Sequence, residues 1–331
     1  MQKTNTNRIL VIGGTGFIGS NLVGYLAEKG NEVVIYHRKD SNLKNMNGFP
    51  FKSVFGDLTD KDNIEDTLYQ AMEGCKAVYN LAVCGSPIKK YHRLREIVNI
   101  EAAKTVAMVA RKIGGLRLIH VSSSTAVGYP DNNEIAGKNY TFNAGYDHYA
   151  LTKLQGEQAV LEEVKRGLDA VIAIPCSTVG SHGMKPHQLN VFKRIAQGKT
   201  WIYPPGGLCL TNVNDLVKGL VLCYEKGVKG ERYILGGNNI TYKQYLNEIA
   251  YATHGKAPRI RLPKLILNWL GFGAETFFNI LKKETPIDKN VAKMIGKNLF
   301  YSSELSKKEL GYTITDWRET IRETVKQLNI N

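Results

Sequence analysis

A tyrosine and a lysine four residues apart, in Tyr149-Ala-Leu-Thr-Lys153, are the side chains of this sequence best suited to moving a proton. On a helix, residues four apart share one face, so the ammonium is expected beside the phenol. A free phenol has a pKa of about 10. A cation about 4 Å away contributes about 4 kcal/mol at an effective dielectric near 20, roughly three pKa units before desolvation. The spacing therefore predicts a phenol that trades its proton near neutral pH.

A second chemical feature lies upstream, in Gly13-Gly14-Thr15-Gly16-Phe17-Ile18-Gly19. It follows Arg8-Ile-Leu-Val-Ile12, an apolar branched run that reads as a buried strand. It leads into a stretch from Phe17 to Lys29 with Phe17, Leu22, Tyr25 and Leu26 at helical spacing. Strand, glycine turn and helix form a phosphate-binding unit: glycines permit close approach of a diphosphate, and the helix N-terminus offers free N–H groups. Gly14, Gly16 and Gly19 fit G-x-G-x-x-G, and Gly13, Gly16 and Gly19 fit the wider G-x-x-G-x-x-G; both readings stand. Gly13, Thr15, Gly16, Phe17, Ile18 and Gly19 are the candidate contacts of this turn.

The next strand, Glu32 to Tyr36, ends in His37-Arg38-Lys39. A site for NAD usually places an acid there, about 20 residues past the turn, to hold the ribose 2′-hydroxyl. Glu32 comes too early and Asp40 too late. Arg38 and Lys39 suit a 2′-phosphate instead, so NADP(H) is the expected cofactor, with NAD(H) the alternative.

The elements that must position these residues alternate as strand and helix to about residue 175. Strands are expected at Val54–Asp57, Ala77–Ala82, Leu116–Val121 and Ala170–Ile174. Helices are expected from Lys61, over Leu94–Ile113 and over Tyr149–Lys165. The order predicts an α/β, Rossmann-type doubly wound parallel sheet over residues 1–175, with part of 200–230 returning to it. A smaller, mostly helical substrate-binding region takes up 176–331. Ligands bind at the carboxyl ends of such strands, where Asp57, Leu81, Ala82, Ser122 to Ser124 and Pro175 fall. A loop from Ser177 to His187 follows, then a helix over Leu189–Gln197 and a loop at Tyr203–Gly207. Leu262 to Lys283 is rich in large apolar residues but interrupted by Lys264, Asn268, Glu275 and Asn279, against a membrane span. It reads as a core or lid helix, or as a surface for a lipid-like substrate or a bilayer.

The chain has 331 residues, 43% of them hydrophobic, enough to bury a large core. Five scattered cysteines without a Cys-x-x-Cys pair argue for reduced thiols, and the polar first residues against a signal peptide; the expected compartment is cytoplasmic, with the membrane periphery left open. The net charge of +14 shows no basic block or aromatic-interleaved stripe, so nucleic acid is not an expected partner. Seven histidines show no ligand spacing, and no metal is expected. A small-molecule substrate is the expected partner; peripheral membrane contact and a homodimer stay open.

With these residues in place, the sequence resembles the extended short-chain dehydrogenase/reductase family over nearly its whole length. The wide glycine spacing matches, as does Gly56-Asp57-Leu58 for the segment that contacts adenine. Asn80-Leu-Ala82 departs from the family's His-x-Ala. The resemblance aligns Asn99 with an asparagine of the central helix, Ser124 with the catalytic hydroxyl, and Tyr149 and Lys153 with the catalytic pair. Within the family, Pro175-Cys-Ser-Thr-Val-Gly180, Lys185-Pro186, Gly230 to Gly237, Tyr301 and Glu309 to Tyr312 look like the dihydroflavonol-reductase-like and hopanoid-associated epimerase-like branch.

The resemblance implies a catalytic set of Ser124, Tyr149, Lys153 and Asn99. The cofactor contacts add Arg38, Lys39, Asp57, Leu58, Leu81, Ala82, Ser122, Tyr149, Lys153, Pro175 and Thr178 to the glycine turn. Asp57 has a second reading, as a helix N-terminal residue feeding Thr59-Asp60. The expected activity is NADP(H)-dependent reduction of a ketone or aldehyde, bulky or lipid-like. The alternatives are a nucleotide-sugar epimerase with tightly bound NAD and a non-catalytic NADP-binding regulator. A sugar dehydratase is disfavoured, because Thr125-Ala126 stands where that activity has an Asp-Glu pair.

Overall fold

The structure, a computed structural model, describes residues 7–86, 88–131, 134–263 and 296–330. Short runs of branched apolar residues form the strands of a seven-stranded parallel sheet: β1 (Arg8–Ile12), β2 (Glu32–His37), β3 (Lys52–Phe55), β4 (Ala77–Asn80), β5 (Arg117–Val121), β6 (Ala170–Pro175) and, much later in the chain, Arg232–Leu235. The spatial order is β3-β2-β1-β4-β5-β6, closed by Arg232–Leu235 beside β6. The order reverses between β1 and β4, and a crevice opens at the carboxyl ends of the strands there.

Helices cover both faces. The amphipathic α2 (Ile64–Met72), a segment from His92 to Ile113, and α5 (His148–Lys165) bury one face over Leu10, Val34, Val78, Val106 and Ile172. On the other face α1 (Phe17–Glu28) packs with Val213–Lys226 over Ile9, Val11, Ile35, Tyr79 and Leu216. The central segment is not one uniform helix. It runs as α3 (His92–Glu96), a π turn over Ile97–Glu101 and α4 (Ala102–Ile113). The π turn carries Asn99 and stands where α5 crosses: a Cβ on Gly156 would meet the Asn99 carbonyl at 2.2 Å.

Past β6 come β7 (Ser177–Val179), α6 (Pro186–Ala196), β8 (Ile202–Tyr203), β9 (Gly207–Asn212), α7 (Val213–Lys226), β10 (Arg232–Leu235), β11 (Asn238–Thr241), α8 (Tyr242–Ala252), β12 (Ile260–Arg261), β13 (Asn298–Leu299), α9 (Glu304–Leu310) and α10 (Trp317–Leu328). α7 and β10 join the large sheet, whereas β7, β9, β11 and β13 make a smaller one. Phe192, Leu210, Ile249, Trp317 and Ile321 form its separate core under α6, α8 and α10.

Several boundaries differ from the sequence reading. β3 ends at Phe55, so Asp57 lies in the turn after it. α2 starts at Ile64 rather than Lys61, because the Asp60 carboxylate turns the chain by accepting the Asp62 and Asn63 N–H groups at 3.2 Å. α6 starts at Pro186, whose fixed φ suits a first helical position. Tyr203, expected in a loop, ends β8 and pairs with Arg261. The apolar stretch from Leu262 to Lys283 lies outside the described residues from 264 onward.

Candidate active site

The glycine turn is built on backbone geometry that only glycine supplies. Gly13 has φ +80° and passes so close to the neighbouring loop that a Cβ would lie 2.9 Å from the Ala82 nitrogen. A Cβ on Gly19 would meet the Gly13 carbonyl at 2.2 Å. Gly16 is the N-cap of α1, is exposed, and carries no side-chain cap. Gly14 packs under the turn against Ile35. Gly13, Gly14 and Gly19 leave no room for a side chain and Gly16 does, so the turn fits both spacings. The bare helix N-terminus and the room above Gly13 and Gly16 suit a dinucleotide diphosphate.

A cavity of about 330 Å³ opens beside this turn, lined in part by Gly13, Thr15, Arg38, Asp57, Leu58 and Ala82. The Asp57 carboxylate accepts from Thr59 N and Thr59 Oγ1, both at 2.8 Å, so it caps its own turn at the cavity wall. Asp57 is not a helix N-terminal residue, because α2 begins only at Ile64, with Asn63 as its N-cap. Arg38 lines the cavity with a side chain 60% exposed, near Asp40 at 3.5 Å. Lys39 is exposed and lies outside the lining. Phe17 is buried, Leu81 belongs to the core beneath, and Ile18 is half-buried against that core. Asn80, standing where the family has histidine, holds the Ala82 N–H through Oδ1 at 3.2 Å.

The chemical groups meet at the ends of β4, β5 and β6. Asp147 caps α5 by accepting the Tyr149 N–H at 2.8 Å and the Ala150 N–H at 3.3 Å, which fixes the turn that presents the phenol. Burial raises the Tyr149 pKa; a hydrogen bond from Ser123 opposes this, Asp147 adds to it, Arg95 opposes it, and Cys84 adds to it. This corrects the expected electrostatics. Lys153 is not the group that draws the phenol down in this structure. Its ammonium is fully buried and donates to the Val121 carbonyl at 2.9 Å. Burial pushes Lys153 down to about 8, against the pull of Glu157. Four residues do put Tyr149 and Lys153 on one helix, but Lys153 turns inward toward β5.

The phenol's hydroxyl partner is Ser123, one residue before the expected Ser124. Ser123 Oγ also accepts from Thr125 Oγ1 at 3.0 Å. The Ser124 hydroxyl faces Cys176 and Tyr301 in the same turn. Ser122, expected on the cofactor, turns its hydroxyl to the buried Glu157. Asn99 fastens rather than faces the site: Oδ1 accepts the Cys84 N–H at 2.9 Å, and Nδ2 donates to Thr152 Oγ1 at 3.1 Å and to the Cys84 carbonyl at 3.3 Å. Pro175 ends β6 against Leu235, and Thr178 Oγ1 is occupied by the Cys176 carbonyl at 3.0 Å.

Sequence reasoning aligned the catalytic hydroxyl with Ser124 rather than Ser123, and missed Arg95, Cys176 and the Glu157–Arg232 pair. Glu157 carried a signal, lying one helical turn beyond Lys153. Arg95 carried none, because its burial comes from the fold. His182 Nε2 is bonded to the Asn45 carbonyl at 2.8 Å, and His187 sits in α6. Among the described residues no cluster of three or more His, Cys, Asp or Glu could hold a metal, and no helix is long and apolar enough to cross a membrane.

The profile of the NAD dependent epimerase/dehydratase family matches residues 9–236. A putative dihydroflavonol 4-reductase of Synechocystis sp. is 27% identical over 322 residues, covering 95% of this chain and 92% of the relative. Sterol demethylase protein B of Methylococcus capsulatus is 28% identical over 322 residues, covering 96% of each. Among solved structures, that of gox2253 superposes with a TM-score of 0.85 at 26% identity, covering 98% of both chains.

Proposed function

The chain belongs to the NAD dependent epimerase/dehydratase family, as an enzyme of the extended short-chain dehydrogenase/reductase type; within it, we propose an NADP(H)-dependent reductase of a bulky, largely apolar ketone or aldehyde. The observation that carries the reading is the half-buried Tyr149 phenol beside the Ser123 hydroxyl at the end of β5, in a parallel sheet whose β1 leads into the glycine turn. Two relatives named for a dihydroflavonol and a sterol support the substrate class.

The glycine turn and the α1 N-terminus would hold the diphosphate, and Asp57 and Leu58 the adenosine end. Arg38 would take the 2′-phosphate at an acid-free strand end. The bound nicotinamide supplies the hydride. Tyr149 donates its proton to the substrate oxygen as charge develops there, and a hydroxyl of the Ser123–Ser124 pair steadies that oxygen. Lys153 would hold the nicotinamide ribose hydroxyls once the cofactor is bound, leaving the Val121 carbonyl, and Asn99 keeps the Cys84 segment and α5 in register.

Calorimetry with both cofactors and a panel of aromatic and sterol-like ketones tests the proposal. NADPH should bind tighter than NADH, and Arg38→Ala should remove most of the difference, which one charge-assisted phosphate contact sets at roughly ten- to hundredfold. Equal affinities in the wild type would overturn the cofactor assignment. C4 inversion of a nucleotide sugar, with no net NADPH consumption, would replace reductase by epimerase.

A further inference from the structure

Arg95 is 2% exposed, among the largest fully enclosed side chains of the protein. Among the described residues it has no carboxylate partner. Glu96, its neighbour in the chain, is held by His148, with Oε1 3.3 Å from His148 Nε2, and pairs with Arg93 at 3.1 Å. Arg95 Nη1 donates to His148 Nδ1 at 2.8 Å, and Nη2 donates to the Ser86 carbonyl. Its Nε has no hydrogen-bond partner among the described residues. An enclosed cation without a counter-charge costs stability, so its surroundings matter. They are those of the phenol. His148 directly precedes Tyr149, and the ring of His92 stacks on His148 at 4.0 Å. Ser86 follows Gly85, whose added Cβ would lie 4.0 Å from Tyr149 Cε2. The segment 84–86 thus lies beside the phenol ring, held at Cys84 by Asn99 and at Ser86 by Arg95.

We propose that Arg95 is a positioning residue for the active-site tyrosine: its guanidinium ties the segment beside the phenol to His148, and it brings a fixed positive charge to the site. The inference rests on the reading of Tyr149 as the proton donor. Arginine suits the task because one planar fork makes both bonds and keeps its charge at every working pH, which lysine does not. The remaining groups around the phenol fit this role. Asp147 and Cys84 disfavour the phenolate, Ser123 favours it, and Arg95 is the cation that acts with Ser123 against burial. Lys153, donating to the Val121 carbonyl, leaves that task to Arg95 until a substrate and cofactor fill the crevice.

Ultraviolet difference titration of the whole enzyme against its Tyr149→Phe variant isolates the Tyr149 transition without any substrate. Arg95→Gln, which can still donate to the Ser86 carbonyl, is expected to move that transition to higher pH. It should lower kcat/KM for ketone reduction by about tenfold near neutral pH, where the phenol has become a weaker acid, and move the alkaline fall of activity to higher pH. A Tyr149 transition unmoved by Arg95→Gln overturns the proposal, because a merely structural arginine would lower activity at all pH values alike. If Arg95→Gln does not fold, His148→Leu reads the same coupling by removing the acceptor that fixes the guanidinium; an unmoved transition there counts equally against it. A shifted transition in an enzyme that reduces no ketone sinks the proposed function and leaves this inference standing. An unshifted one in an active reductase does the reverse.

Discussion

Tyr149 reaches the site because Asp147 caps the helix that bears it and because β5 ends in hydroxyls. Removing the phenol in Tyr149→Phe should cut turnover by about 10²- to 10⁴-fold while NADPH still binds, since Tyr149 is one of many cofactor contacts but the single proton donor. Steady-state kinetics beside a binding isotherm checks this, and near-normal turnover would exclude Tyr149 as the acid. Lys153 makes a different prediction. Its folded pKa of about 8 lies below the usual lysine value, so the folded protein binds fewer protons there than the unfolded chain. Its charge therefore costs stability below pH about 8, on the order of 3 kcal/mol, and the cost fades as pH rises toward the unfolded value of about 10.4. The thermal midpoint of the wild type should gain on that of Lys153→Met between those pH values. Parallel curves for the two proteins would show that Lys153 is not so perturbed.

The elements explain why these groups stand together. α5 can approach the π turn only where Gly156 offers no side chain, and Asn99, carried by that turn, then reaches both Cys84 and Thr152. Gly156→Ala places a methyl group against the Asn99 carbonyl, so α5 must shift. We expect a loss of about 1–3 kcal/mol in stability, the usual cost of overpacking, together with a fall in kcat. Urea denaturation and kinetics of the same preparation measure both. An unchanged midpoint would mean that the helix crossing is looser than described. The helix pattern was legible in the sequence over Leu94–Ile113, but the π turn was not. The apolar residues on either side keep helical spacing through it, and the extra residue is set by the crossing with α5.

Across the molecule, the chain after residue 200 returns to support the catalytic helix. β10 lies beside β6, and its Arg232 pairs with Glu157 at 2.7 Å, one turn beyond Lys153. Arg232 Nη1 also donates to the Lys138 carbonyl at 2.8 Å, tying in the stretch between β5 and α5. Glu157 is buried, and burial raises its pKa against the pull of Arg232 and Ser122. Arg232→Ala leaves that carboxylate without its arginine, and breaking a buried pair from one side costs about 3–5 kcal/mol. The unfolding midpoint should fall accordingly. Replacing both partners by apolar residues of similar volume should cost much less. A single variant as stable as the wild type would mean that the pair is wetter than the structure shows.

The sequence by itself determined the features that depend on neighbours along the chain. These are the strand–glycine–helix unit, the alternation that makes a doubly wound sheet, the Tyr149–Lys153 spacing, and an acid-free end to β2. Local backbone conformation and side-chain periodicity are written at a range of a few residues, so they can be read there. Tertiary structure alone decided where the charges point. Lys153 turns to the Val121 carbonyl, Ser123 rather than Ser124 meets the phenol, and Arg95 becomes an enclosed cation over the site. Each of those outcomes depends on what desolvates the group and which partner lies across the crevice. Burial and pairing join segments that lie far apart in the chain, and no spacing in the sequence encodes them.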